Sequence, residues 1–442
     1  VTNAPVLPAH GSPLHLRALP GGTRPQHVAV LLAAVRDVLD GAAQALVPHA
    51  PEEDRDEVLA TLRLRLARAV PAGTAAVLQT SGSTTGTGHL VALSAAALTA
   101  SARATEERLA GPGQWLLAVP AHHVAGLQVL VRSVVAGTEP VLLDTSDGFD
   151  AHRLAGAAEA MRDDVPGYLS LVPTQLVRVL EAGPDAVAPL RRLAAILVGG
   201  AALPPQALTR ARDAGLRVVT TYGMTETGGG CVYDGAPLPG VRLRVAGGHG
   251  RIEIAGPMLA TGYLDDLAAD SATFVAEDGV RWLRTSDRGV LAPLPAPDDG
   301  PADDAGGGPR PGDASPARLQ VLGRVDDVIN TGGVKVSPAA VERLLGALPG
   351  VAEVAVVGVP DDEWGQLVTA VVVPSATAPA PDLETLRELV RDALGGAHAP
   401  RAVVTAPALP QRGPGKIDRI ALTREAEAAL ADGRRGGTQR LG

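Results

Sequence analysis

The sequence predicts an α/β protein with a large N-terminal part and a small α+β domain behind it. Three patterns carry that expectation. Short β-like runs alternate with apolar-periodic segments between residues 115 and 223, the pattern of a sheet covered by helices. Beyond Gly230 the runs shorten and are bounded by Gly and Pro, which points to a β-rich subdomain. After Arg324 a fresh set of helix- and strand-like runs begins, and a chain of 442 residues with 46% hydrophobic content can bury more than one core.

Taken in order, Val28, Leu31, Leu32, Val35, Val38 and Leu39 follow the i, i+3, i+4, i+7 spacing of a helix with one buried face. Residues 76–79 read as a strand entering a Gly/Ser/Thr loop. Further strands are expected at 115–120, 140–144, 168–173, 195–199 and 218–222, then at 251–255 and 280–285. Residues 293–316 hold almost no apolar side chain large enough to offset ordering entropy, so a disordered acidic loop between two strands is expected there. Ser337 and Pro338 read as a helix entry, Ser capping and Pro in the first turn, with Val341, Leu344, Leu345 and Leu348 on one face. Strands at 353–359 and 369–374, a helix over 383–394 and a strand at 402–405 lead to a Gly-Pro-Gly turn that presents Lys416. The boundary is expected near 324–327, and 431–442 reads as a polar, frayed tail.

Composition narrows the function classes. Net charge is −9 and aromatic residues make up 2%, leaving neither a basic surface for phosphate backbones nor stacking platforms, so nucleic acid is not an expected partner. The one cysteine, Cys231, allows no internal disulfide and no cysteine-built metal site, and a cytoplasmic location is expected. No run reaches the roughly 18 apolar residues a membrane span needs, and residues 1–19 show no targeting pattern.

Four segments are able to carry chemistry. Thr80, Ser81, Gly82, Ser83, Thr84, Thr85, Gly86, Thr87 and Gly88 form a loop whose backbone N–H groups and hydroxyls suit the phosphates of ATP. It lacks the Gly-Lys-Ser/Thr ending of a Walker loop, and in isolation a flexible polar linker reads the same. Tyr222, Gly223, Met224, Thr225, Glu226 and Thr227 follow a strand, where ligands gather at the edge of α/β sheets. Tyr222 there suits a purine, Thr225 a phosphate oxygen and Glu226 a magnesium ion, against a core ring and a solvated charge as alternatives. Asp287 suits ribose hydroxyls or, equally, a turn cap. His122 and His123 are adjacent with no third ligand spaced for zinc, so His123 is read as lining an acyl pocket or as a satisfied core residue.

The ordered series 80–88, 221–227, 285–289, 323–327 with Gly332-Gly333-Val334-Lys335, and Gly415-Lys416 with Arg419 resembles the adenylate-forming acyl-CoA ligase superfamily over nearly the whole chain. Residues 120–128, 170–176 and 199–203 resemble its o-succinylbenzoate–CoA ligase branch, which serves menaquinone biosynthesis. The resemblance implies an N-terminal ATP- and acyl-binding domain over 1–324, made of two α/β sheet subdomains and a β-rich one. A hinge at 325–327 centred on Asp326 and a mobile C-terminal domain over 328–430 complete it.

It also implies roles. Thr80 to Gly86 would hold the pyrophosphate end of ATP. Gly200, Ala201, Tyr222 and Gly223 would frame adenine, Asp287 and Arg324 would take the ribose, and Glu226 would meet Mg2+. Thr225 and Lys416 would be catalytic with Glu226. His123, Gly199, Gly228 and Gly229 would surround the acyl group, and Gly332 and Gly333 would line the passage for coenzyme A. Small-molecule acid, ATP and coenzyme A are the expected partners, with a homodimer left open.

The chain departs from the family at Gly88-His89, where Pro-Lys is expected, and it carries an extra threonine in the loop; a histidine supplies less charge than lysine near pH 7. Two other readings stand beside the favoured one: adenylation of another aryl, fatty or amino acid, and a nucleotide-binding regulatory homologue. Lys416, Asp287 and Glu226 argue against the latter.

Overall fold

The computed structural model describes residues 14–80, 88–247, 250–292, 317–325, 327–375, 378–411, 416–432 and 438–440. A large N-terminal domain is built on three sheets and a smaller C-terminal domain on a fourth. The first sheet runs His15–Pro20, Gln44–His49, Thr74–Gln79, Leu90–Ser94 and Gly262–Tyr263, parallel at its start and antiparallel from Thr74–Gln79 onward. The second orders Ala236–Pro237, Gly229–Tyr233, Val218–Met224, Ala195–Val198, Gly167–Leu171, Gln114–Leu117 and Val141–Leu142, with its last five strands parallel.

Parallel strands are covered on both faces, so they read as unbroken apolar runs rather than alternating ones; Ala195, Ile196, Leu197 and Val198 are all buried. Helices Pro25–Leu39, Ala95–Arg108 and Val124–Ala136 contribute to a core that takes Leu46, Leu78 and Leu93 from the first sheet and Trp115, Tyr168 and Leu197 from the second. Pro25 opens its helix in the first turn, and Val28, Leu31, Leu32, Val35 and Val38 are buried at the expected spacing. A separate core on the second sheet holds Leu154, Leu176, Val179 and Leu190 against Leu169 and Ile196.

The third sheet is antiparallel: Arg242–Ala246, Arg251–Ala255, Val280–Ala292 and Phe274–Glu277, with Arg318–Arg324 also paired to Val280–Ala292. Val280–Ala292 extends well past the expected 280–285, which places Asp287 inside a strand and in register with Arg324 rather than at a turn. The strands that flank 293–316 pair with each other, while those residues themselves lie outside the described ones.

The C-terminal sheet orders Val334–Val336, Ile329–Thr331, Gly365–Pro374, Ala402–Thr405 and Thr438–Arg440, with Val351–Asp361 on the Gly365–Pro374 strand, and helices Pro338–Leu345, Leu383–Leu394 and Arg419–Asp432 accompany it. Two details differ from expectation. Ser337 stands at the N-cap position but makes no capping bond; its hydroxyl instead donates to the Leu322 carbonyl at 3.1 Å. Where a frayed tail was expected, the last helix runs to Asp432, and Thr438–Arg440 pairs antiparallel with residues 402–404 because the Ala402–Thr405 strand has an open edge to fill. Among the described residues no helix is long and apolar enough to cross a membrane.

Leu31 is fully enclosed, whereas Leu64 is 88% exposed. Leu31→Ala is expected to cost about 2–5 kcal/mol of N-terminal domain stability and Leu64→Ala about 0.5 kcal/mol or less, read from denaturant midpoints. Equal midpoints would sink the assignment of that helix to the core.

Candidate functional site

The strand pair Thr74–Gln79 and Leu90–Ser94 brings the two ends of the hydroxyl-rich loop together. Thr80 N donates to the His89 carbonyl at 2.9 Å and His89 N donates to Thr80 Oγ1 at 2.8 Å. Gly88 is required by this closure, since a Cβ there would lie 1.5 Å from the Thr80 carbonyl oxygen. The loop body, with Ser81, Gly82, Ser83, Thr84, Thr85 and Gly86, lies outside the described residues.

Around the loop base runs a chain of polar contacts that sequence reasoning missed. Asp265 accepts from Leu90 N and from Arg65 Nη2, each at 2.8 Å, and Arg65 also donates to the Gly88 carbonyl. His89 stacks on Tyr263 with ring centroids 4.3 Å apart, its Nδ1 3.7 Å from Asp265 Oδ1. The Tyr263 hydroxyl donates to Glu226 Oε1 at 2.8 Å. Burial, reinforced by the Glu226 carboxylate, pushes the Tyr263 phenol far above its usual range, so it stays a donor. No spacing rule marks Arg65, Tyr263 or Asp265, because all three act through tertiary contacts.

Glu226 sits on the short 3-10 turn Thr225–Thr227, at the end of the Val218–Met224 strand and beside the end of Ala195–Val198. Gly199 lies close under Thr221, and Gly200 and Ala201 are exposed beyond the strand end. This is the carboxyl edge of parallel strands, where α/β sheets present ligand sites. The structure unites three nucleotide candidates here: the Tyr222 hydroxyl donates to Asp287 Oδ2 at 2.8 Å, and Arg324 Nη1 lies 3.9 Å from Asp287 Oδ1. Burial first and Asp287 second raise the Tyr222 phenol well above its usual range.

The residues fit a magnesium ion that arrives with a nucleotide. Glu226 spends one carboxylate oxygen on Tyr263, and among the described residues its other oxygen has no hydrogen-bond partner. Among the described residues no three His, Cys, Asp or Glu side chains cluster into a metal cage. Magnesium characteristically takes one or two carboxylates and completes its shell with phosphate and water.

Of the residues expected to surround an acyl group, His123 stands at the N-cap position of Val124–Ala136 and His122 packs beside it, ring centroids 4.4 Å apart. His122 Nδ1 accepts from Gly22 N at 3.0 Å, so in its neutral form the ring proton is on Nε2. Burial, with His123 and His49 nearby, lowers its pKa to about 3. Burial and the positive charge of Lys416 lower that of His123 as well. The charge of Lys416 is thus felt at His123 although 293 positions separate them (416 minus 123). An antiparallel bridge between Gln411 and Ile417 closes its turn; residues 412–415 lie outside the described ones.

Gly228 and Gly229 follow Glu226. The Gly228 carbonyl accepts from Gln128 Nε2 at 2.6 Å and from Ser101 Oγ at 3.4 Å. Gln128 lies one helical turn beyond Val124, and both side chains lie against Gly229. Gly332 and Gly333 form a separate hairpin turn between Ile329–Thr331 and Val334–Val336. Gly332 has φ +54° and lies under the Trp364 ring, whose face Arg401 covers at 3.4 Å. The hinge candidate Asp326 lies outside the described residues.

Known proteins share this architecture and sequence. The AMP-binding enzyme family matches residues 20–264, and the AMP-binding enzyme C-terminal domain matches 340–416. A probable 2-succinylbenzoate–CoA ligase of Mycobacterium tuberculosis is 45% identical over 396 residues, covering 90% of this chain and 95% of that protein. The 2-succinylbenzoate–CoA ligase of Listeria monocytogenes serotype 4b is 30% identical, over 69% of this chain and 60% of its own. Among solved structures, the Bacillus subtilis o-succinylbenzoate CoA synthetase in complex with an acyl-adenylate intermediate aligns with TM-score 0.67 at 24% identity, covering 92% and 87% of the two chains. ATP-bound MatB of Rhodopseudomonas palustris aligns with TM-score 0.73 at 22% identity, covering 94% and 90%. At those identities the structural likeness establishes the fold.

The His122 geometry generates a pH prediction. A histidine with its pKa depressed to about 3 from an ordinary 6.5 binds fewer protons folded than unfolded between those values. Its contribution to stability is complete above pH 6.5 and drains away as pH falls toward 3. His122→Gln is expected to flatten the fall of melting temperature across that window; parallel curves for the two proteins would refute the neutral buried ring. Separately, Tyr222→Phe deletes a hydrogen bond to a carboxylate, and KM for ATP is expected to rise about tenfold, the scale of 1.5 kcal/mol. An unchanged KM in steady-state kinetics would detach Tyr222 from the nucleotide.

Proposed function

The chain belongs to the AMP-binding enzyme family, and from that premise we propose that it is an ATP-dependent acid–CoA ligase acting on 2-succinylbenzoate, the acid of menaquinone biosynthesis. What supports the chemistry is that the positive charge of Lys416, in the C-terminal domain, weighs on buried His123 at the start of the Val124–Ala136 helix. The choice of acid rests on the 45% identical relative, which spans almost all of both chains.

Two steps follow. A carboxylate oxygen of the acid bonds to the α-phosphorus of ATP, the bond to pyrophosphate breaks, and an acyl-adenylate remains. The thiolate sulfur of coenzyme A then bonds to the acyl carbon, its proton goes to solvent, and AMP leaves with the electron pair of the broken C–O bond. Negative charge builds at phosphorus in the first step, and Lys416 neutralises it while bridging the carboxylate and the α-phosphate. Buried His123, its pKa lowered, forms an uncharged wall that does not compete with the lysine for the anion.

The remaining roles complete the reading. Thr80 and the loop to Gly86, with Thr225, bind phosphates. Gly200, Ala201, Tyr222 and Gly223 frame adenine, and Asp287 with Arg324 holds the ribose. Gly199, Gly228 and Gly229 make room for the acyl group. Glu226 would hold Mg2+, whose charge would offset that of the phosphates. A domain boundary at 325–327, with Asp326 as hinge, lets the C-terminal domain over 328–430 rotate, so that Lys416 withdraws and Gly332 and Gly333 line the passage for the thiol. A reducing cytoplasm suits the enclosed Cys231 thiol, which burial pushes up to about 12.

The deciding assay is AMP release with coenzyme A across an acid panel that includes 2-succinylbenzoate. Turnover with other acids and none with this one would move the substrate assignment elsewhere. Lys416→Ala is expected to lower acid-dependent pyrophosphate exchange about 10²-fold or more and leave thioester formation from supplied acyl-adenylate largely intact. A bulky residue at Gly333 should do the reverse. Matching losses in both half-reactions would contradict the division of labour.

A further inference from the structure

Lys416 has a flexible stem, so the position of its ammonium depends on what holds the turn beneath it. One side of that turn is the Gln411–Ile417 bridge, joined by Asp418 N donating to the Pro410 carbonyl at 2.8 Å. On the other side is the first turn of the Arg419–Asp432 helix, where Asp418 Oδ1 accepts from Ile420 N at 3.1 Å and Ala421 N at 3.0 Å. Leu409 and Ile417, on the two flanks of the turn, pack on the apolar core that holds Val357 and Leu422. Arg419 adds a directional polar tie to more distant elements.

Its guanidinium meets three elements at once. Nε lies 3.3 Å from Asp327 Oδ2, immediately after the hinge candidate. Nη2 lies 2.8 Å from Glu342 Oε1 on the Pro338–Leu345 helix, and Nη1 donates to the Val356 carbonyl at 2.8 Å on the Val351–Asp361 strand. The planar fork of an arginine serves three acceptors in fixed directions, which a lysine cannot copy. The side chain is 28% exposed, and its carboxylate partners Asp327 and Glu342 are 25% and 17% exposed. Burial opposes its charge, and Glu342 and Asp327 more than offset that, so its pKa sits above the ordinary arginine range. Arg324, on the far side of position 326, is close enough for its charge to weigh on Arg419.

We propose that Arg419 is a positioning residue for adenylation: by tying the base of the Lys416 turn to Asp327, Glu342 and Val356, it fixes where the ammonium stands, and the thioester step does not depend on it. The proposal rests on the role given to Lys416 above. Misplacing a reacting group by about 1 Å can cost 10²-fold; the packing of Leu409 and Ile417 keeps the turn on the domain, but apolar contact is non-directional and leaves freedom of that size once the fork is gone. The Gly332–Gly333 hairpin, by contrast, is pinned through Gly332 N to the Trp364 carbonyl at 2.9 Å and owes nothing to Arg419. Glu342 Oε1 also accepts from Val356 N at 2.7 Å, so the joint between that helix and strand outlasts loss of the arginine.

The test compares Arg419→Met and Arg419→Lys with the unaltered full-length chain in the two half-reactions. Arg419→Met is expected to lower kcat of acid-dependent pyrophosphate exchange about 10²-fold. KM for ATP and acid, and thioester formation from supplied acyl-adenylate, should each stay within about threefold. Arg419→Lys, able to keep one ion pair, should fall between. Equal loss in both half-reactions, or no loss in either, overturns the proposal. If Arg419→Met does not fold, Glu342→Gln and Asp327→Asn, which each remove one partner, are held to the same split.

Amide hydrogen exchange over 409–418 supplies a readout free of turnover. It should quicken in the variants while the Val351–Asp361 strand stays protected, and unchanged exchange overturns the proposal. If the unaltered chain exchanges pyrophosphate with no acid, the functional reading has failed, and the positioning role is decided by amide exchange alone.

Discussion

Burial that strips charge from a histidine pair is the constraint on which this site depends. His122 and His123 lie side by side and burial drives both toward the neutral form. A neutral lining suits an organic acid, because a fixed cation would bind the carboxylate in the ground state and its adenylate alike, gaining nothing at the transition state. On the proposed reading the positive charge comes instead from Lys416, in the C-terminal domain. A charge carried on a movable element would act in one step and be absent in the next, so that two reactions could share one volume.

The loop base obeys a related logic. Where the family resemblance leads one to expect a lysine, this chain has His89, stacked on Tyr263 and near Asp265. Arg65 binds both Asp265 and the Gly88 carbonyl, so a guanidinium sits at the foot of the loop although the residue at the expected position is a histidine. Tyr263 then links His89 to Glu226. The closure of the loop and the carboxylate suited to magnesium thus belong to one continuous set of contacts, and a change at either end will be felt at the other.

Much of this was legible in the chain because it is written in local patterns. The unbroken apolar runs of the parallel strands, the helix spacing of Val28 to Val38 and the glycine-rich loop each express a rule that holds over a few residues. Asp287 was legible as a candidate but not as a strand residue, since the length of Val280–Ala292 is set by its partner Arg318–Arg324, which returns only after the 293–316 segment. Ser337 has the identity of a cap, but its hydroxyl donates to the Leu322 carbonyl, a tertiary partner that local sequence does not show. The strand Thr438–Arg440 exists through an edge supplied by residues 402–404, and no composition rule anticipates an edge. Residues whose meaning is tertiary, such as Arg65, Tyr263 and Gln128, leave little trace in one sequence.

The division into domains has a physical consequence of its own. A group that must enter and leave an active site cannot be held there by the site, or it would not leave; it has to be held rigidly by the body that moves. The described contacts of the Lys416 turn satisfy that condition. Its bridge, its helix cap and the Arg419 fork all end on residues that follow the hinge position, Asp327 included. On the proposed reading, rigidity inside the C-terminal domain is one half of a requirement whose other half is freedom for that domain to turn. Placing a many-armed guanidinium three residues after the lysine puts the stiffness where the displacement of a long side chain is most sensitive to it.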